Sequence, residues 1–184
     1  MAQFVVVAIT LVGIYYQFRL QRAATTFEQL KRLGDEWASE RMTRAKLAAA
    51  QAIHSDDPVP LGPMALLADS CEIVASLVRQ KHVSARAVYE TLGPSIITWW
   101  VLLEPAVAQM RERESDPTTF THFEWLANAL KDLAVEDRVG EGSYDRARIV
   151  GELPSYIESW EQRIKLAEDS RASRSAPVRR KATR

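Results

Sequence analysis

The chain offers few side chains whose chemistry could make a catalytic or metal site: three histidines, one cysteine and a short acidic cluster. His54, His82 and His122 stand in no E-x-x-H pair and no H-E-x-x-H motif, so neither a di-iron bundle pattern nor a helix-borne zinc pair is present. Phosphate-cradling loops of the G-x-x-x-x-G-K-[ST] and G-x-G-x-x-G types are also missing. Cys71 with a distant histidine would make a nucleophilic pair. It falls on an apolar helical stripe, however, where a small buried hydrophobe is expected. As the sole cysteine it excludes an internal disulfide and a thiolate cluster, which suits a reducing compartment. His122 lies beside the buried face of its helix and is expected to hydrogen-bond there. Glu36 and Glu40, four apart beside Asp35, would share a helix face and could hold a cation. Acids favour a helix N-terminus, and Arg44 follows Glu40 by four residues, so an ion pair is the stronger expectation. Trp99 and Trp100 point about 100° apart on a helix, so one is expected in the core and the other at a helix junction or a membrane interface. No catalytic, cofactor-binding or metal-ligating residue is assigned, and no cofactor is implied.

The elements that would carry these residues all read as helix. The 184 residues, 47% apolar, suffice for one core. Alternating strand patterns, Asn-Gly hairpins and a fixed internal repeat are absent. "FRLQRAATTFEQLKRL" carries Leu20, Ala24, Phe27 and Leu30 on one stripe, and Gly34 is expected to interrupt it. Asp35 then caps a second helix with Ala38, Met42, Ala45, Ala49 and Ile53 inward. Residues 56–63, "DDPVPLGP", are expected to be loop. A third helix spans 64–81 with Leu67, Cys71, Val74 and Val78 on its stripe. Ser84 caps a short helix closed by Gly93. Pro94 opens the next, kinked near 101–105 by Pro105, with Ile96, Trp100, Leu103, Val107 and Met110 inward. Asp116 and Pro117 start a helix burying Phe120, Phe123, Leu126, Ala127, Leu130 and Leu133 or Ala134. Residues 136–143 form a loop, 144–150 a short turn, and Pro154 begins a last helix with Tyr156 or Ile157, Trp160, Ile164 and Ala167 inward.

Charge is unevenly spread. The net formal charge is zero, which excludes a protein basic as a whole. Residues 1–32 hold four cations against Glu28, and residues 171–184 hold six and no acid, leaving 14 cations against 23 acids between them. Residues 2–18 carry no charge at all. Seventeen residues rise about 26 Å as helix, just under the roughly 30 Å hydrocarbon core. Tyr15 and Tyr16 close this run at the expected interface, and Arg19 and Arg22 follow it. No cation precedes the run and no A-x-A-like site follows it, so a cleaved signal peptide fits poorly. A buried core helix and the visible part of a longer span are the rival readings. The positive-inside rule puts Arg19, Arg22, Lys31 and Arg32 in the cytoplasm and the N-terminus outside.

The stretch "LADSCEIVASLVRQKHVSARAVYETLGPSIITWWVLLEPAVAQMRERESDPTTFTHFEWLANAL", with "VSARAVYETLG", "LLEP" and "TFTHFEWLANAL" within it, resembles a bacterial family of small membrane-anchored helical proteins described as a domain of unknown function. The likeness covers roughly residues 4–134 and leaves out the last helix and the tail. It implies an anchored cytoplasmic helical domain and transfers no catalytic residue.

The expected architecture is therefore all-α: a transmembrane anchor over residues 1–18, a cytoplasmic helical bundle over 19–169 and a basic disordered tail over 170–184. The expected location is the inner membrane, in a single pass. The expected role is an interaction or scaffold module, with a protein partner or further copies of the chain. An enzyme whose site forms only in three dimensions, and a membrane-stress or phage-defence accessory protein, are the alternatives. Tyr15, Tyr16, Arg19 and Arg22 are the candidate interface residues. Arg171, Arg174, Arg179, Arg180, Lys181 and Arg184 are candidate contacts to membrane lipids. Nucleic acid is a weaker partner, because the tail interleaves no aromatic residues.

Overall fold

The computed structural model describes residues 28–137 and 143–175, together with Ile14 and Gln17. These are helical throughout their regular structure, with no strand among the described residues: α1 (28–37), α2 (Glu40–His54), α3 (Leu61–Arg79), α4 (Ala85–Glu114), α5 (Thr121–Glu136) and α6 (Arg146–Ser175). The charge-free run of residues 2–18, with Tyr15, Tyr16, Arg19 and Arg22 at its end, lies outside the described residues apart from Ile14 and Gln17, both helical.

Several boundaries differ from those the sequence suggests, each for a local reason. α1 runs through Gly34, whose carbonyl accepts the Ala38 N–H at 2.9 Å. The chain breaks one turn later, and Ser39 rather than Asp35 caps α2, its hydroxyl accepting from the Met42 N–H at 3.2 Å. α3 begins at Leu61, earlier than expected, because Pro63 sits in a first turn whose N–H groups have no helical partner anyway.

α4 is one continuous helix of 30 residues, with Pro94 and Pro105 inside it. Gly93 does not end a helix; it makes room for the Tyr89 ring. Both prolines lie on the exposed side of the helix, where their rings meet no packed neighbour. α6 likewise runs through Pro154 from Arg146, because Asp145 accepts the Arg148 N–H at 3.0 Å and starts the helix earlier. It continues to Ser175, so residues 170–175, read from composition as tail, are helical.

α4 forms the centre. From Ile96 to Leu103 only Thr98 escapes full burial, because α5 covers one side and α6 another. This is why both adjacent tryptophans are buried. Trp100 meets Phe123 of α5 edge to face, with centroids 5.1 Å apart. Trp99 stacks on Trp160 of α6 at 6.0 Å, and Tyr156 extends that stack at 5.8 Å. The expectation of one central tryptophan holds only for a helix with a single neighbour. The inward stripes of α2, α3 and α5 are otherwise as the 3.6-residue period requires: Met42, Ala45 and Ala49; Leu67, Cys71, Val74 and Val78; Phe123, Leu126, Ala127, Leu130 and Ala134.

α3 is, among the described residues, the one helix long and apolar enough to cross a membrane by length and composition. Its apolar face is turned into the bundle at Leu67, Ala68, Cys71, Val74 and Ala75, and a core helix meets the same criterion.

Candidate functional site

Polar chemistry concentrates where α1 joins α2 and α6 runs past the junction. α2 and α6 are antiparallel, as three cross-helix pairs show: Glu40 with Arg171, Arg44 with Glu168 at 2.6 Å, and Gln51 with Glu161 at 3.0 Å. Glu40 also takes Arg44 of its own helix at 3.0 Å. The Arg44 hydrogen bond, aided by the charge of Arg171, holds the Glu40 carboxyl below the usual carboxylate range against its partial desolvation. Two acids and two guanidiniums thus close a balanced network along the seam. The ion pair expected between Glu40 and Arg44 is present.

Next to this seam lies Lys46, only 7% exposed and with no carboxylate in its ion-pair range among the described residues. Its ammonium donates to the Trp37 carbonyl at 2.7 Å and stands over the Trp37 ring at 4.1 Å. The Trp37 indole N–H donates to the Ser95 hydroxyl of α4 at 3.2 Å. One tryptophan therefore fastens α1 to both α2 and α4. Burial pulls the Lys46 pKa down to about 7. The carbonyl and the ring face favour the ammonium and oppose that pull. A cleft of about 230 Å³ opens beside this group, lined by Ala38, Glu40, Thr43, Arg163, Ile164 and Ala167. Periodicity alone passes over Lys46, yet a lone lysine between Met42, Ala45 and Ala49 on an apolar stripe is a signal legible in the sequence.

Two further clefts, of about 220 and 190 Å³, adjoin along the loop of residues 55–60 and α4, sharing Pro58, Val59, Ala106 and Gln109. None of the three clefts is lined by Cys71, His122 or Glu104.

The remaining candidates are dispersed. Cys71 is fully buried in the core, and burial pushes its thiol well above the ordinary range. His122 Nδ1 lies 3.2 Å from Glu72 Oε2. The other Glu72 oxygen accepts the Phe123 N–H at 2.8 Å, so an α3 carboxylate caps the start of α5. Glu72 had no signal in the sequence, because its partner is 51 residues away. Asp116, the expected cap, instead closes the preceding turn on Thr118 at 2.9 Å. His54 sits in the last turn of α2 and His82 in the turn after α3, so the topology does not gather the three histidines. Among the described residues no group of three or more His, Cys, Asp or Glu is placed to hold a metal ion. Of the basic C-terminal residues, Arg171 is held by Glu40, Arg174 belongs to α6, and Arg179, Arg180, Lys181 and Arg184 lie outside the described residues.

A family model for DUF4760, a domain of unknown function, matches residues 3–130, and the chain belongs to this family. No curated protein and no solved structure matches the chain. The matched span ends inside α5, so α6 and the basic end lie beyond it.

Proposed function

We propose that this DUF4760 chain is a membrane-anchored helical interaction module, held by residues 2–18 and presenting α2–α6 to a cytoplasmic protein partner or to further copies of itself. The observation that carries the reading is the charge-free run, closed by Tyr15 and Tyr16 and followed by Arg19 and Arg22. The way the helical body spends its polar side chains supports it. Glu72, Arg44, Arg86 and Arg111 tie helices and turns together and line none of the three clefts, and Glu40, which does line one, is already paired with Arg44 and Arg171. Ile73 and Trp125, exposed on two helices that pack together, give such a module apolar contact points.

The test is fractionation of cells producing the full chain. The chain is expected in the membrane pellet, resistant to alkaline carbonate, with its body shielded from protease added outside spheroplasts. Recovery in the soluble fraction overturns the anchor. Crosslinking in mild detergent tests the module, and a lone monomer with no captured partner overturns that part.

A further inference from the structure

We propose that α1 is a proton-controlled lid: it lies docked on the bundle while Lys46 is a neutral amine, and a proton taken up from water at Lys46 Nζ swings it out about the two residues that separate it from α2.

The joint at Trp37 carries this. Among the described residues, both side-chain hydrogen bonds that tie α1 to other helices are made there: the Trp37 carbonyl accepts from Lys46, and the indole N–H donates to Ser95. Leu30, Leu33 and Trp37 pack α1 against the core. α1 ends at Trp37 and α2 begins at Glu40, with Ser39 between them in extended backbone. A two-residue hinge thus stands beside a fastening that can titrate.

Docking is what buries Lys46. Trp37 closes over it with carbonyl and ring and leaves it 7% exposed. α3 presents the Cys71 thiol, which burial keeps protonated and neutral. α6 presents Arg163, whose like charge opposes an ammonium. α4 presents the uncharged Ser95 hydroxyl to Trp37. On α2 itself, Glu40 is taken up by Arg44 and Arg171. Closing α1 over an ammonium therefore strips its water without supplying a counter-ion. A neutral amine keeps an N–H for the Trp37 carbonyl and carries no such cost. The cleft lined by Ala38, Thr43 and Arg163 opens next to the hinge and gives water a way in.

The sign follows from the two environments. Docked, Lys46 titrates at about 7; swung into water, it returns toward 10.5. Between these values the open form holds a proton that the docked form lacks. Acidification toward pH 7 therefore favours opening by up to about tenfold per pH unit, and the effect levels off below that. Opening bares the apolar stripe of Leu30, Leu33 and Trp37.

The experiment uses the full chain in detergent micelles, with nitroxides on Lys31→Cys of α1 and Thr91→Cys of α4. Both positions are exposed, and Cys71 is sealed in the core. Pulsed double electron–electron resonance reads the distance from pH 6 to pH 9. One narrow distance is expected at pH 9, with a second population growing by up to about tenfold per unit on the way to pH 7. Lys46→Met should hold the pH 9 distance throughout. A second pair within the bundle, Thr91→Cys with Glu158→Cys, should keep one distance at every pH. A ratio that stays flat from pH 9 to pH 7 overturns the lid, as does opening that grows toward alkaline pH or persists in Lys46→Met. Broadening of the Thr91–Glu158 distance in step also overturns it, because the whole bundle would then be loosening. The readout is internal to the helical body, so it stands or falls separately from the anchor.

Discussion

The carboxylate of Glu72, in the middle of α3, accepts the backbone N–H of Phe123 in the first turn of α5 at 2.8 Å. The α5 N-cap, Phe120, is in a left-handed conformation and offers no side-chain acceptor. Glu72 supplies from a neighbouring helix what a Ser or Asp supplies locally. Glu72→Ala is expected to cost about 1–2 kcal/mol in urea unfolding. Glu72→Gln keeps an acceptor oxygen and should recover most of that. Equal losses for both would show that the cap contributes little.

Lys46 links stability to pH. Its folded pKa is lowered to about 7 from 10.5, so between these values the unfolded chain holds a proton that the folded chain has lost. Stability therefore rises with pH across that window, by up to about 1.4 kcal/mol per unit, and is lowest below it, where the folded protein buries the charge. Lys46→Met is expected to flatten the rise. Denaturant midpoints for both proteins from pH 7 to pH 9 check this, and parallel curves would contradict it.

Glu40 acts in the opposite sense. Its folded pKa is depressed below 4.5, so its stabilising effect is whole above that value and is lost as pH falls through the lower folded value. Amide exchange in the last turns of α6 should speed up on acidification before exchange at Trp99 and Trp100 does. Glu40→Gln should remove the difference.

A methyl group at Gly93 would stand 2.8 Å from Tyr89 Cδ2, and that ring is only 9% exposed. Gly93→Ala in a helix interior ordinarily stabilises by about 1 kcal/mol. Here the crowding outweighs that gain, for a net loss of about 1–2 kcal/mol by thermal melting. Pairing it with Tyr89→Ala should restore the ordinary sign.

Trp160 joins α6 to the central helix through Trp99. Trp160→Ala is expected to cost about 2–3 kcal/mol in chemical denaturation. Tyr156→Ala, at a side chain left 46% exposed, should cost distinctly less.

The helical class and the inward stripes were legible because burial imposes a 3.6-residue period on Met42, Leu67, Val74, Phe123 and Leu130. The boundaries were less so. Gly93–Pro94 and Pro154 look like punctuation, and only packing shows that the glycine serves the Tyr89 ring and that the prolines lie on exposed faces. Trp99 and Trp100 depart from the single-helix expectation because each has its own neighbouring helix, α6 and α5, and one helix's periodicity cannot count neighbours. The group around Trp37 was hidden for the same reason: Lys46, Ser95 and Trp37 lie on three helices, and no local spacing joins them.

Cys71 sits at zero exposure in a chain with no second thiol. Its alkylation rate therefore clocks how often the whole helical assembly comes apart. A simple thiol reagent becomes a built-in stopwatch for that opening.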